Sequence, residues 1–334
     1  MKLRYLILGA LVFAGCSSKD VFVPKKVIDK PLKVKSSKTL QDYTKKTLTF
    51  KTLELNYTKP TSFIDDGVRG VYVYYDKNGH KLGKFEKINE NLATNGLRLL
   101  VIDKKKIIKL PYMVASATQN GNFIAIVFEN NAVGLYDLNQ NSLIFYKTFD
   151  NSIVGKYLKA SPIFYQGLVL FPLLNSNIAI YDLKAGNYVR TLNLVDDNLL
   201  SNIIFLKIVN NQLFMATPHE LVLFDPNYLI DFKGNIKHIV DDGKDLYLFM
   251  VGGKVIKLDS NLKKLKTVTL PFADYFAPGI CNGKIYTVTK NGYLVEFDKN
   301  LNYKVYGGNH FNTDAPLRIY GCKIFNEDRM YEIK

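Results

Sequence analysis

A chain of 334 residues, 47% hydrophobic and 22% charged, belongs among folded proteins rather than disordered ones, and it is long enough to bury a core without covalent staples. Its formal charge of +15 and pI near 9.4 fit an anionic partner surface, or simply a lysine-rich composition spread along the chain. An export signal at the start sets nucleic acid aside as a partner.

Lys2 and Arg4 give that start its positive charge, and residues 6–13 (LILGALVF) follow as a short apolar run. The run is too short to cross a bilayer as a helix, so residues 1–15 read as a cleaved signal. Phe13-Ala14-Gly15-Cys16 then resembles the bacterial lipobox. The resemblance implies diacylglycerol on the Cys16 sulfur, cleavage after Gly15 and acylation of the new amino terminus, hence a lipid anchor in a membrane. Enterobacterial sorting rules place Asp after the cysteine for inner-membrane retention. Ser17 stands there instead, which points to the outer membrane, with the protein facing the periplasm. Residues 16–46 are rich in lysine, lack periodicity and are broken by Pro24 and Pro31, so they read as a flexible tether.

From residue 47 the pattern changes to short alternating runs separated by turn residues. Residues 47–57 (TLTFKTLELNY) make one strand, and 62–88 belong to a first unit with Asp76 and Gly79 at its turn. Residues 95–110 are a compressed unit. Fuller units follow, clearest at 161–189, where Tyr181-Asp182 ends one strand and Gly186 supplies the turn into the next. The same run ending in Asp recurs at Asp137, Asp225, Asp259 and Asp298, at intervals of about 34 to 45 residues, the spacing of four-stranded propeller blades. No amphipathic helical stretch interrupts the series. The expected fold is therefore all-β, a β-propeller over residues 47–334 with eight four-stranded blades, or seven if the compressed unit belongs to its neighbour. Residues 318–334 stop short of a full blade. They are expected to pair with 47–57, joining the two ends of the chain and removing an open sheet edge.

Pro162, Gly167, Ile178, Asp182 and Gly186 match the PQQ-like propeller repeat, as do Asn282-Gly283, Asn291-Gly292 and Asp298. With the lipobox, the chain as a whole resembles the BamB family of outer-membrane lipoproteins. The resemblance implies a non-enzymatic scaffold that supports assembly and insertion of outer-membrane β-barrel proteins. It also implies a partner, the barrel-forming subunit with POTRA domains. The family's partner-binding loop maps onto Leu158 and Lys159, where lysine stands for the family's arginine and loses its bidentate fork. The blade-end tryptophan of the repeat is absent, and Tyr146, Tyr188 and Tyr303 stand near its place.

No chemistry-bearing constellation stands out. His80, His219, His238 and His310 fall in different units without metal-ligand spacing. Neither a G-x-S-x-G elbow nor a P-loop is present. Asp196-Asp197 and Asp241-Asp242-Gly243 read as turns rather than calcium loops. A quinoprotein would need a cofactor-stacking aromatic and a calcium site with a catalytic Asp, so no cofactor, no metal and no enzyme is expected. Two functions remain: the scaffold, and an envelope propeller that binds a polyanionic glycan or another surface ligand.

Cys281 and Cys322 are the cysteines left beside Cys16, and export places them where a bridge can persist. Each precedes an alternating strand in one of the last two units. Neighbouring blades come close enough for a disulfide only near the central channel, so a bridge and two buried thiols both remain open.

Overall fold

The computed structural model describes residues 21–28, 34–37, 46–48, 55–58, 71–75, 81–89, 91–101, 106–150, 160–194, 201–224, 229–307, 311–315, 317–326 and 329–333. Among them the regular elements are all β-strands, in seven antiparallel sheets. Five sheets each take four consecutive strands, within residues 114–148, 163–193, 205–233, 236–269 and 279–306. A sixth joins Leu317–Tyr320, Lys323–Asn326 and Arg329–Ile333 to Val34–Ser37 from the other end of the chain. The seventh runs through seven strands between residues 46 and 109.

The repeating Asp closes the outer hairpin of its sheet. Asp182 Oδ1 accepts the backbone N–H groups of Lys184 and Ala185 at 2.8 and 2.9 Å, and Gly186 completes the turn at φ +68°. Asp137, Asp259 and Asp298 make the same local bonds, to Asn139, to Asn261 and Lys263, and to Asn300 and Asn302. Asp225, Asp76 and Gly79 lie outside the described residues.

In the five sheets of four consecutive strands, the two middle strands are mostly buried on both faces. Phe123–Phe128 and Ala132–Asp137 are almost wholly buried, while the last strand of the same sheet, Ser142–Thr148, is largely exposed. The reason is face-to-face packing of consecutive sheets, which covers the middle strands most and leaves the outer ones nearer solvent. Ala125, Val133 and Leu135 pack with Val169, Phe171 and Ala179 of the next sheet. Phe214, Leu221 and Leu223 pack likewise with Leu246, Leu248 and Leu258. Tyr146 and Tyr188 share in this packing: Tyr146 stacks on Tyr112 at 5.5 Å, and Tyr188 lies 6.1 Å from Phe149.

The sheet count follows the lower of the two expected values, and one strand pairing differs from the expectation. The compressed unit belongs to its neighbour: Leu92–Thr94, the strand that leads into it, pairs with the end of Lys81–Lys87 through Glu86↔Thr94 and Lys87↔Ala93, so the described strands make seven sheets. The connection is too tight to swing to a new sheet: Ile88 and Asn89 both donate backbone bonds to the Leu92 carbonyl, and Asn89 Oδ1 accepts from Asn91 and Leu92.

The strand that meets the C-terminal one is not 47–57. Val34–Ser37 pairs with Arg329–Ile333 from Val34↔Ile333 to Ser37↔Met330. Lys46–Leu48 and Leu55–Thr58 instead form a hairpin inside the seven-stranded sheet. The paired segment reads VKSS, with one apolar residue, so alternation could not reveal it; its ladder is backbone bonding, indifferent to side chains. It lies within the stretch expected as tether, as does Phe22, which is buried.

Candidate interaction face

Residues 21–28 strap the outer edge of the sheet at 279–306. The Ile28 amide donates to the Val305 carbonyl at 2.9 Å, and Gly307 donates to the Ile28 carbonyl at 3.3 Å, a short parallel bridge. The Phe22 carbonyl accepts from Asn291 Nδ2 at 2.9 Å. The Phe22 ring packs edge-on against Tyr293 at 6.0 Å and shares a cluster with Leu270, Ala273, Val295 and Val305. The ring thus fills the seam between the sheets at 236–269 and 279–306.

Beside the strap lies a cleft of about 740 Å³, lined by Val21, Val23, Lys25, Lys26, Phe272 and Lys304 among others. A second cleft, about 490 Å³, shares Phe272 and adds Val251, Lys237 and Asp274. Antiparallel topology places these loops on one side of the sheets, where the turn between second and third strands meets the loop entering the next sheet. Phe272 sits at φ +61°, an unusual conformation for a bulky residue, yet its side chain is 54% exposed. The backbone around it is closely held. Ala273 donates to the Leu270 carbonyl at 3.0 Å, and Leu270 donates to the Gly253 carbonyl at 2.9 Å. Gly253, at φ +87°, is so near that a Cβ there would fall 1.9 Å from the Leu270 oxygen. The larger cleft is lined by lysines without a carboxylate, and in the smaller one Asp274 is ion-paired with Lys237.

The sequence-derived positions fall elsewhere. Cys16, Leu158 and Lys159 lie outside the described residues, as do Asp196-Asp197, His80 and His310. Next to the Leu158-Lys159 position, Ala160 is buried and Ser161 Oγ accepts from Ser116 Oγ at 2.7 Å. Cys281 and Cys322 form a disulfide. His238 Nε2 donates to the Tyr275 carbonyl at 3.2 Å, and His219 sits in a turn whose backbone bonds to Thr217 Oγ1. Among the described residues no group of His, Cys, Asp or Glu is arranged to hold a metal. Asp242 Oδ1 accepts from the Lys244 and Asp245 amides, which makes 241–243 a turn as expected.

One buried charge cluster was not foreseen. Glu296 accepts from Lys284 Nζ at 2.9 Å and from the Tyr286 and Tyr306 hydroxyls at 3.2 Å each. Burial raises the Glu296 pKa, but these donors outweigh it and hold the carboxyl below its ordinary value. Burial, with the Glu296 charge beside it, pushes Tyr306 up to about 12. Every oxygen is satisfied inside the sheet, which fits a structural role. Sequence reading also missed Phe22, Val251 and Phe272, because apolar residues in turns carry no period. The one available signal was Val21-Phe22-Val23, an apolar triplet inside a lysine-rich stretch.

No family model matches the chain. It is 30% identical over 226 residues to the plasminogen-binding protein PgbB of Helicobacter pylori strain J99, and 26% identical over 226 residues to PgbB of strain 26695. Each match takes in 67% of this chain, which spans 41% and 40% of the length of these two curated relatives. Among solved structures, BamB from Moraxella catarrhalis superposes with a TM-score of 0.58 at 12% identity, covering 90% of this chain and 99% of that one. The computationally designed Ika8 protein gives 0.55 at 10% identity, covering 90% and 98%. The C-terminal WD40 domain of Sif2 gives 0.51 at 14% identity, covering 84% and 82%. The chain folds as a β-propeller. Among the described residues its strands form seven sheets, and the seven-stranded one carries two sequence units.

Proposed function

We propose that this propeller is a non-enzymatic lipoprotein scaffold of the bacterial envelope, anchored through Cys16 in the outer membrane and facing the periplasm. It would support assembly and insertion of outer-membrane β-barrel proteins by holding a barrel-forming subunit through that subunit's POTRA domains. The observation that carries the reading is the propeller fold itself, antiparallel sheets whose turns gather on their two sides as loops for contact. The fold shared with a BamB structure over nearly the whole of both chains is the frame on which such a scaffold would be built. Copurification from detergent-solubilised membranes, read by mass spectrometry, tests it. A POTRA-bearing partner in stoichiometric amount is expected, and its absence rejects the scaffold.

The 226-residue match to PgbB favours a second reading, a propeller that binds a surface ligand. The name of those relatives makes plasminogen the ligand to try. Saturable binding to immobilised plasminogen, without a POTRA-bearing partner in the membrane extract, would decide for it.

A further inference from the structure

We propose that the face formed by Val21, Val23, Val251 and Phe272 docks into the headgroup interface of an anionic lipid bilayer. These side chains are 53%, 81%, 65% and 54% exposed, and Phe272 makes them continuous because it lines both clefts. Lys25, Lys26 and Lys304 rim the larger cleft, and all three are exposed. Aromatic and aliphatic tips ringed by lysines suit a bilayer interface, where the tips enter the acyl boundary and the ammonium groups meet phosphates. The cores of protein interfaces, by contrast, are depleted in lysine. The frame is also preorganised. The turn from Leu270 to Ala273 presents Phe272 outward in a left-handed conformation that no burial of its ring compensates.

Chain length places this face near the membrane. Phe22 is fixed in the seam between two blades, and Cys16 is six residues before it. Even fully extended, six residues span roughly 20 Å. This step rests on the lipoprotein reading above, while the patch and its charge stand without it.

The chain has no tryptophan, so one introduced residue is a background-free reporter. F272W in the full-length mature protein, mixed with or reconstituted into vesicles, is compared with Y320W. Tyr320 is 52% exposed at the end of a first strand, on the opposite side of the sheets. Docking predicts that F272W emission shifts to the blue and is quenched by brominated lipid in phosphatidylglycerol vesicles. It also predicts that Y320W stays solvent-like. K25E/K26E is expected to weaken binding to these vesicles about thirty-fold or more, since each lysine near an anionic surface contributes a factor of about five. Solvent-like F272W emission, an equal shift at both sites, or a shift produced only by a membrane-protein extract would each overturn the proposal. Palmitate labelling of Cys16 is read separately. A patch that binds vesicles in an unlabelled protein rejects the anchor alone, and a labelled protein whose F272W stays in water rejects the patch alone.

Discussion

Cys281 and Cys322 are joined by a disulfide, their Cα atoms 4.7 Å apart, across the first hairpins of two consecutive blades. The neighbouring backbones leave no room between those blades. A Cβ on Gly279 would fall 2.4 Å from the Ile319 carbonyl oxygen, and Ala277 bridges Arg318 in parallel. Cys322 belongs to the blade that Val34–Ser37 completes, so the bridge ties that composite blade to its neighbour. Removing the bond with Cys281→Ala and Cys322→Ala should lower stability by about 2–4 kcal/mol, by the loop-entropy argument. Urea titration of the exported protein measures it. With Cys16 accounted for, thiol counting should find no free thiol before reduction and two after.

Phe22 is the apolar pin of the strap. Phe22→Ala should cost about 3–5 kcal/mol if the strap stays in place over the cavity, and less if it peels away. Limited proteolysis separates these outcomes. New cleavage before Ile28 marks a released strap, whereas a lowered urea midpoint with an intact N-terminal segment marks an unfilled cavity.

Glu296 gives the acid limb of stability a specific source. Its folded pKa is held below the ordinary value of 4.5, so its contribution is complete above about pH 4.5 and is lost as pH falls through the folded value. Glu296→Gln should flatten stability against pH in that acid window. The alkaline side has the opposite sign. Tyr306, raised to about 12, favours the neutral hydroxyl in the folded protein, and that stabilisation fades as pH climbs from about 10 through 12. Ultraviolet titration should show Tyr306 ionising at lower pH once Glu296→Gln removes the neighbouring charge.

Gly253 controls the frame of Phe272. Gly253→Ala places a methyl group against the Leu270 carbonyl at a positive φ, and should destabilise by about 1–3 kcal/mol. Gly243→Ala is the comparison. That glycine also has positive φ but meets nothing within 4 Å, so its effect should be smaller in thermal melts.

What the chain's own sequence determined was local. An Asp bonding amides two or three residues on, a Gly able to take positive φ, and alternating apolar runs are all encoded within a few neighbours. The strands, their hairpins and the propeller class were legible for that reason. Whether Cys281 and Cys322 meet was left open, because spacing along the chain does not say which blades approach. Tertiary structure decided the rest. Whether residues 88–91 turn back or cross to a new blade depends on the pairing of Glu86 with Thr94, which no local pattern announces. The strand that completes the last blade is held by a ladder between opposite ends of the chain, and its sequence carries almost no apolar signal. The interaction face is more distant still. Asn291 holds Phe22 across a separation of 269 residues, and Val23, Val251 and Phe272 meet only because blades and strap converge on one side. Exposed apolar residues scattered among turns have no period to read, and only packing brings them into a single surface.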